Sequence, residues 1–264
     1  MPVDSLLDYF RARRVINFKG PHASWAEARK HVTGYDDNRI LEKVRASTLK
    51  VQEGTAVAER DGVVLSQVDY YWATTAALMF SAARANGVLS VLDFGGSLGS
   101  SYFQNRKFLA RLAEVRWGVV EQQNFVACGR RDIHQPGLSF HERIDECAAA
   151  IEPQVALLSG VLQMLEHPQE ILQEIDAAGV RTIVVDRTPF SRLDRDVICT
   201  QHVREPIYDA SYPAWIFSEG RITSMLGPRW ELVESFLSND YQGFRCGRIG
   251  FQLHGMIYCR REPA

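Results

Sequence analysis

The sequence contains no hydrophobic run long enough to cross a membrane. Its most apolar stretch, Ala73 to Phe80, is far shorter than the roughly 20 residues that a spanning helix needs. Residues 1–5 have neither the basic start nor the apolar core of a signal peptide. We therefore expect a cytoplasmic protein without a membrane span.

Paired cysteines and a strong charge of one sign are also missing. The five cysteines are scattered and include no Cys-x-x-Cys pair, which argues against a disulfide framework and a zinc site. The net charge is −2, from 30 basic and 32 acidic residues, so no excess of positive charge attracts nucleic acid. The sequence therefore predicts a globular protein with no bound metal and no nucleic-acid partner.

The chain divides into two zones of different pattern. Residues 1–86 predict an N-terminal helical extension that helps to cover a binding site. Its expected helices cover residues 5–10, 37–49 and 69–85, and a further helix begins at the capping box of Ser24 and Glu27.

From residue 87 onward, apolar strands alternate with helices. Continuous apolar runs separated by helices are typical of a parallel sheet that is covered on both faces. The expected strands are Val88–Phe94, Val115–Glu121, Leu138–Phe140, Val155–Ser159, Arg181–Asp186, Trp230–Phe236 and Phe251–Arg260. The last two have no helix between them, which predicts antiparallel pairing at one edge. Residues 87–264 are thus expected to form one α/β domain with a mostly parallel seven-stranded sheet.

The most informative motif is a glycine-rich turn after the first of these strands. Asp93 stands at the carboxyl end of the strand, and the turn runs from Gly95 to Gly99. The dinucleotide pattern Gly-x-Gly-x-x-Gly does not fit, because Ser97 stands at its second glycine position. The better pattern is acid-x-Gly-x-Gly-x-Gly with Ser97 replacing one glycine. Glu121 ends the next strand, and its two oxygens suit the two hydroxyls of a ribose.

This motif resembles that of the Rossmann-like, class I methyltransferases that use S-adenosylmethionine. Residues 155–168 and 182–190 are similar to the fourth and fifth strands of those enzymes, and the resemblance covers about residues 70–260. It extends to a group of bacterial methyltransferases found in polysaccharide or secondary-metabolite gene contexts. The resemblance implies a Rossmann-like fold, S-adenosylmethionine as cofactor, and methyl transfer to a small-molecule or carbohydrate-like acceptor, with a hydroxyl as the expected target.

The same resemblance implies a set of cofactor-binding residues. The methionine part would lie over the turn, the adenine near His141 and Glu142, and the sulfonium beside Ser159 and Gly160. The complete set is Asp93, Phe94, Gly95, Gly96, Ser97, Gly99, Glu121, Gln122, His141, Glu142, Ser159 and Gly160. The fourth strand lacks an acid, which argues against a metal-assisted mechanism.

A hydroxyl acceptor needs a group that takes its proton, and three residues near the expected strand ends are candidates. His167 could equally cap the following helix, Asp186 could pair with Arg187, and His202 could lie on the surface in a loop. The aromatic segment 208–217 fits either the wall of an acceptor pocket or ordinary core.

Two other functions remain open from the sequence. An NAD-dependent oxidoreductase or epimerase would use a similar turn, although the glycine order disfavours it. A non-catalytic binding protein could keep the fold without the chemistry, which the serine at position 97 would allow. Assembly into a homo-oligomer is also open.

Overall fold

The computed structural model describes residues 15–30, 32–34, 38–239 and 243–262. The helix predicted over residues 5–10 lies outside these ranges. The helices are α1 (Trp25–Arg29), α2 (Asn38–Gln52), α3 (Trp72–Arg84), α4 (Ser100–Leu109), α5 (Gln123–Asp132), α6 (Ile144–Ile151), α7 (Pro168–Ala177) and α8 (Arg221–Leu226), with a 3₁₀ turn at Leu162–Met164. Within the described ranges, no helix combines the length and apolar character that crossing a membrane requires.

Thirteen strands are described, of which eleven belong to one sheet. They are β1 (Ile16–His22), β2 (Ala58–Arg60), β3 (Val63–Leu65), β4 (Val88–Phe94), β5 (Glu114–Val120), β6 (Leu138–His141), β7 (Val155–Ser159), β8 (Thr182–Ser191), β9 (Val197–Val203), β10 (Ala210–Ser218), β11 (Trp230–Leu237), β12 (Phe244–Cys246) and β13 (Ile249–Arg260). Strands β2 and β3 form a separate hairpin.

One half of the large sheet is parallel and has helices between its strands. Its order is β6-β5-β4-β7-β8, and every neighbouring pair runs parallel. These strands are built from the apolar runs that the sequence shows, and buried side chains on both faces pack against the helices. The prediction of an α/β protein is confirmed.

The predicted sheet architecture is wrong. Beyond β8, the sheet continues through β10, β9, β1, β12 and β13, and β13 pairs back with β8, so these six strands close into a mixed barrel. The fold is therefore not a mostly parallel, seven-stranded Rossmann-like sheet with one antiparallel edge strand. The reason is the length of β8, which continues past Asp186 and pairs with β10 at Phe190 and Ser191.

The segment before residue 87 contributes strands as well as helices. The capping box at Ser24 is present, with the Ser24 hydroxyl accepting a hydrogen bond from the Glu27 amide at 3.1 Å. However, β1 pairs with β9 and β12 inside the barrel, and the β2–β3 hairpin lies over α4. Helices alone do not describe this segment.

The order of the parallel strands creates a crevice. From β4 the chain passes through α4 to β5 on one side, whereas β7 lies on the other side of β4. In open α/β sheets, ligands bind outside the carboxyl ends of the strands at such a switch point. We therefore expect a ligand-binding site in this crevice.

Candidate functional site

A cavity of about 870 Å³ begins at the carboxyl ends of the parallel strands and extends to the barrel. Pockets for small ligands occupy roughly 300–1,000 Å³, so this cavity has room for a cofactor and a second molecule. Eight of the predicted cofactor-binding residues line it: Phe94, Gly95, Ser97, Glu121, Gln122, Glu142, Ser159 and Gly160.

Asp93 supports the turn from below rather than lining the cavity. Its carboxyl group is buried and accepts a hydrogen bond from the Trp117 indole at 3.0 Å. A Cβ atom on Gly96 would lie 2.5 Å from the Asp93 carboxyl carbon, so only glycine lets the turn close over this group. Burial raises the pKa of Asp93 to about 7.

Glu121 faces the cavity and ties two loops together. Its carboxylate accepts hydrogen bonds from the backbone N–H groups of Ser97 at 3.2 Å and Gln122 at 2.8 Å. Burial raises its pKa, and these two hydrogen bonds oppose the rise. A carboxylate has about four acceptor positions, so two remain for hydroxyl donors of a ligand.

Ser97 has two unusual features at the glycine position it replaces. Its φ is +56°, a left-handed conformation that non-glycine residues seldom adopt. Its hydroxyl oxygen is buried and has no hydrogen-bond partner within the part of the chain that the structure describes. Because buried polar groups are normally paired, a ligand with a polar group fits the crevice at this point.

Three other predicted residues lie behind the cavity wall. His141 is buried, its Nε2 lies 2.9 Å from the Ser139 hydroxyl, and burial lowers its pKa. Gly96 covers Asp93, and Gly99 approaches Leu138. These residues shape the crevice, whereas Glu142 is exposed and lines it directly.

The amino end of α4 already holds a carboxylate. Glu59, from the β2–β3 hairpin, is buried and accepts a hydrogen bond from the hydroxyl of Ser100, the first residue of α4. It also accepts one from the Gly62 amide at 3.3 Å. Burial raises the pKa of Glu59. A helix start usually attracts anions, but here the protein supplies its own acid.

The other half of the cavity contains an ion pair. The Arg187 guanidinium donates to the Asp61 carboxylate at 2.8 Å, and both residues line the cavity. Asp61 and Gly62 have φ values of +50° and +78°, as in the two-residue turn favoured by β-hairpins. Asp186 and Arg187 together face Gly255 across the β8–β13 pairing, which forms a β-bulge and redirects the Arg187 side chain.

Polar and aromatic side chains surround this pair. The Gln201 amide donates to the Tyr212 phenol oxygen at 3.1 Å. Tyr208 and Pro213 also line the cavity. Burial, with the nearby charge of Asp61, raises the pKa of Tyr212, so its phenol keeps its proton. The aromatic segment 208–217 is thus both cavity wall and core.

None of the three proton acceptors predicted from the sequence lines this cavity. His167 borders a separate cleft beside α7. Asp186 is buried and accepts hydrogen bonds from the Thr74 hydroxyl at 3.0 Å and the Arg187 amide at 2.7 Å. His202 lies in β9 rather than in a loop. Its neighbours Gln201 and Val203 line the cavity, so its side chain projects from the other face.

The sequence-based reasoning missed the residues that the hairpin and barrel bring in. Arg60, Asp61, Arg187 and Gln201 are residues of this kind that line the cavity with a polar group. One signal was available, because Asp61-Gly62 between two short apolar runs is typical of a β-hairpin. Nothing local indicated that Arg187 would meet Asp61.

Comparison with solved structures finds proteins of related shape at low identity. The N-terminal domain of EvdMO1, solved with SAH bound, has 14% identity and a TM-score of 0.47; the match covers 87% of this chain and 100% of that one. SAM-bound CalS10, an amino pentose methyltransferase from Micromonospora echinaspora, has 14% identity and a TM-score of 0.42, covering 72% and 90%. The 4+2 cyclase SpnF has 12% identity and a TM-score of 0.47, covering 94% and 100%.

No protein-family model matches the chain, and no curated protein matches it. Identities of 12–14% and TM-scores below 0.5 leave the function to be decided by the chemistry of the crevice.

Proposed function

We propose that the protein transfers a methyl group from S-adenosylmethionine to a small-molecule or carbohydrate-like acceptor, most readily at a hydroxyl. The observation that carries this proposal is the Glu121 carboxylate at the end of β5. It faces the cavity, is fixed by the Ser97 and Gln122 amides, and keeps acceptor positions for both ribose hydroxyls. The unpaired Ser97 hydroxyl beside it supports a polar ligand along the same wall.

The start of α4 favours an adenosyl ligand without phosphates over a dinucleotide. In dinucleotide sites, the pyrophosphate lies at the amino end of the helix that follows the glycine turn. Here the buried Glu59 carboxyl group lies against Ser100, the first residue of that helix. A pyrophosphate would have to displace a buried carboxyl group and the hairpin that carries it. An NAD-dependent reaction is therefore disfavoured.

The acceptor half of the cavity supports proton removal from a hydroxyl. Bound S-adenosylmethionine would supply an electrophilic methyl group. Asp61 is the carboxylate that the hairpin turn aims into the cavity, and Arg187 holds it at 2.8 Å. Since none of the three sequence-predicted candidates lines the cavity, we assign proton acceptance to Asp61 and its positioning to Arg187. The Gln201 amide and the Tyr212 phenol supply hydrogen bonds for further hydroxyls, which suits a sugar-like acceptor.

The cellular setting forms part of the same proposal. We place the reaction in the cytoplasm, because the five free cysteines suit a reducing compartment. We expect no nucleic-acid substrate, since the net charge of −2 provides no excess of positive charge for a phosphate backbone.

The test begins with ligand binding. Thermal shift and calorimetry are expected to show stabilisation by S-adenosylhomocysteine and none by NAD, because ligands that bind only the folded state raise its stability. Stabilisation by NAD alone would overturn the proposal.

Glu121→Ala tests the carboxylate that carries the assignment. Loss of a hydrogen bond to a charged group is expected to weaken binding of S-adenosylhomocysteine by about 1–3 kcal/mol in calorimetry. Glu152→Ala, on an acid that does not line the cavity, is the control and should bind normally. An effect of Glu121→Ala no larger than that of the control would remove the assignment.

Asp61→Asn tests the proton acceptor with labelled S-adenosylmethionine and a panel of hexoses, deoxyhexoses and phenols. Asparagine keeps the hairpin turn, because Asn-Gly suits it as well as Asp-Gly does. Methyl transfer should fall about 100-fold or more, the usual contribution of a general base. Binding of S-adenosylhomocysteine should stay unchanged. Unaltered turnover would exclude Asp61 from proton transfer.

A further inference from the structure

The glycine-rich turn offers few free donors for an anion. The amino-acid part of an S-adenosyl ligand carries a carboxylate, which needs hydrogen-bond donors or a cation. Three N–H groups of the turn already donate within the protein. Gly95 donates to the Val120 carbonyl at 2.9 Å, Ser97 to Glu121 at 3.2 Å, and Gly99 to the Gly96 carbonyl at 2.9 Å. Backbone donors at these positions are therefore committed.

The first residue of the helix that follows the turn is also engaged. The Ser100 hydroxyl donates to the buried Glu59 carboxyl group, so a ligand carboxylate placed there would lie against an acid. A ligand carboxylate in this end of the cavity needs a positively charged partner from elsewhere.

Arg60 supplies a cation at this end. It ends β2, lines the cavity, and lies between the acid of Glu59 and the turn residue Asp61. Burial raises the pKa of Asp93 beneath the glycine turn, and the charge of Arg60 opposes that rise, which puts the guanidinium in electrostatic reach of the turn. The β2–β3 hairpin thus brings a positive charge to the wall where three N–H groups of the turn already donate within the protein.

Neutral groups hold this guanidinium in place. Its central carbon lies 4.1 Å from the centre of the Tyr71 ring, and Nη2 donates to the Gln104 side-chain oxygen at 2.8 Å. Neither contact neutralises the charge. Within the described ranges, Arg60 forms no ion pair. A guanidinium has five N–H donors, so one bond to Gln104 leaves a fork free for a carboxylate.

We infer that Arg60 binds the carboxylate of the cofactor's amino-acid part, with the Tyr71 ring and Gln104 presenting its guanidinium. This inference rests on the proposed function, since it assumes an S-adenosyl ligand in the crevice. Two residues along one wall of the cavity then bind different parts of the ligand. Glu121 binds the ribose, and Arg60 binds the carboxylate of the amino-acid part.

The experiment compares two ligands that differ in the amino-acid part, which carries the carboxylate that Arg60 would bind. S-adenosylhomocysteine carries the amino-acid group, whereas 5′-methylthioadenosine has the adenosine and the sulfur without it. Arg60→Gln should weaken binding of S-adenosylhomocysteine about 10- to 100-fold in calorimetry. Binding of 5′-methylthioadenosine, measured by competition, should change less than about twofold. Arg60→Lys should fall between, because lysine keeps the charge but not the two-point fork.

Two controls give the comparison its meaning. Arg84→Gln removes an arginine that also lies over an aromatic ring, Phe80, but outside the cavity, and should alter neither affinity. Glu121→Ala should weaken both ligands by a similar factor, because both contain the ribose. Thermal melts of each variant establish that the fold persists.

The outcomes separate the inference from the proposed function. If Arg60→Gln weakens both ligands equally, or neither, Arg60 does not bind the carboxylate and the inference is overturned. If the unaltered protein binds neither S-adenosylhomocysteine nor 5′-methylthioadenosine, the proposed function itself fails, and the inference fails with it.

Discussion

At the scale of single residues, two strand-end carboxyl groups have different tasks. Glu121 faces the cavity and keeps acceptor positions for a ligand, whereas Asp93 lies buried below the turn. The sequence placed both correctly at strand ends, because an acid after an apolar run is visible locally. It could not separate the ligand-facing group from the supporting one, since that depends on Trp117 and on the closeness of Gly96.

The pKa of Asp93 leads to a pH-dependent prediction. Its folded-state pKa of about 7 lies above the unfolded value, so the folded protein holds a proton that the unfolded chain releases. Stability from this group is therefore lost as pH rises from about 4 to 7. Asp93→Asn cannot ionise but still accepts the Trp117 hydrogen bond. Between pH 5 and 8, the unaltered protein should lose about 3 kcal/mol more unfolding free energy than Asp93→Asn in urea titrations.

The comparison isolates one group. Burial also raises the pKa of Glu59 and Asp186, but these residues are present in both proteins and their effects cancel in the difference. The charge of Glu121 adds to the rise in the pKa of Asp93, so this interaction is part of the measured difference. Parallel pH profiles for the two proteins would mean that Asp93 titrates in its ordinary range.

At the scale of elements, local sequence patterns predicted the helices better than the strands of the barrel. The helices expected over 37–49 and 69–85 correspond to α2 and α3, and the strands at 230–236 and 251–260 pair antiparallel as predicted. Strands β1, β9, β10 and β12 were missed. Some of them are stabilised by partners far away in the chain, such as Phe18 opposite Cys246, and their residues do not alternate regularly between apolar and polar. The barrel side of the cavity, apart from the segment 208–217, was missed for the same reason.

Substitutions of Glu59 test how much this buried side chain contributes to the stability of the β2–β3 hairpin. Ser100 and Gly62 donate to different oxygens of the Glu59 carboxyl group. Glu59→Gln keeps one oxygen for the Gly62 amide, its NH2 group can donate to the Ser100 hydroxyl, and the charge that burial disfavours is removed. It should be at least as stable as the unaltered protein at pH 7. Glu59→Leu leaves both donors without a partner and should cost about 1–3 kcal/mol for each buried group. Urea titration measures the stability, and proteolysis within residues 58–65 should increase only in the leucine variant.

At the scale of the whole molecule, the barrel joins the first described strand to the last. Closure depends on β8 and β13 being long enough to belong to both the parallel half and the barrel. Strand β1 lies between β9 and β12, so residues near the start of the chain complete a wall of the cavity. Local sequence patterns cannot predict this closure, because it depends on pairings between residues far apart in the chain, such as Phe18 with Gln201.

The barrel core gives the corresponding stability prediction. Phe18 of β1 is buried against two rings, with centroids 5.3 Å from Phe244 and 4.8 Å from Phe251. Phe18→Ala removes the contacts that join β1 to β12 and β13, and should lower the unfolding free energy by about 3–5 kcal/mol. Val233→Ala on the exposed edge strand β11 should change it by less than about 0.5 kcal/mol. Both are measured by urea denaturation without ligand. If the two substitutions cost the same small amount, β1 contributes little to closure, and the parallel half alone carries the stability of the fold.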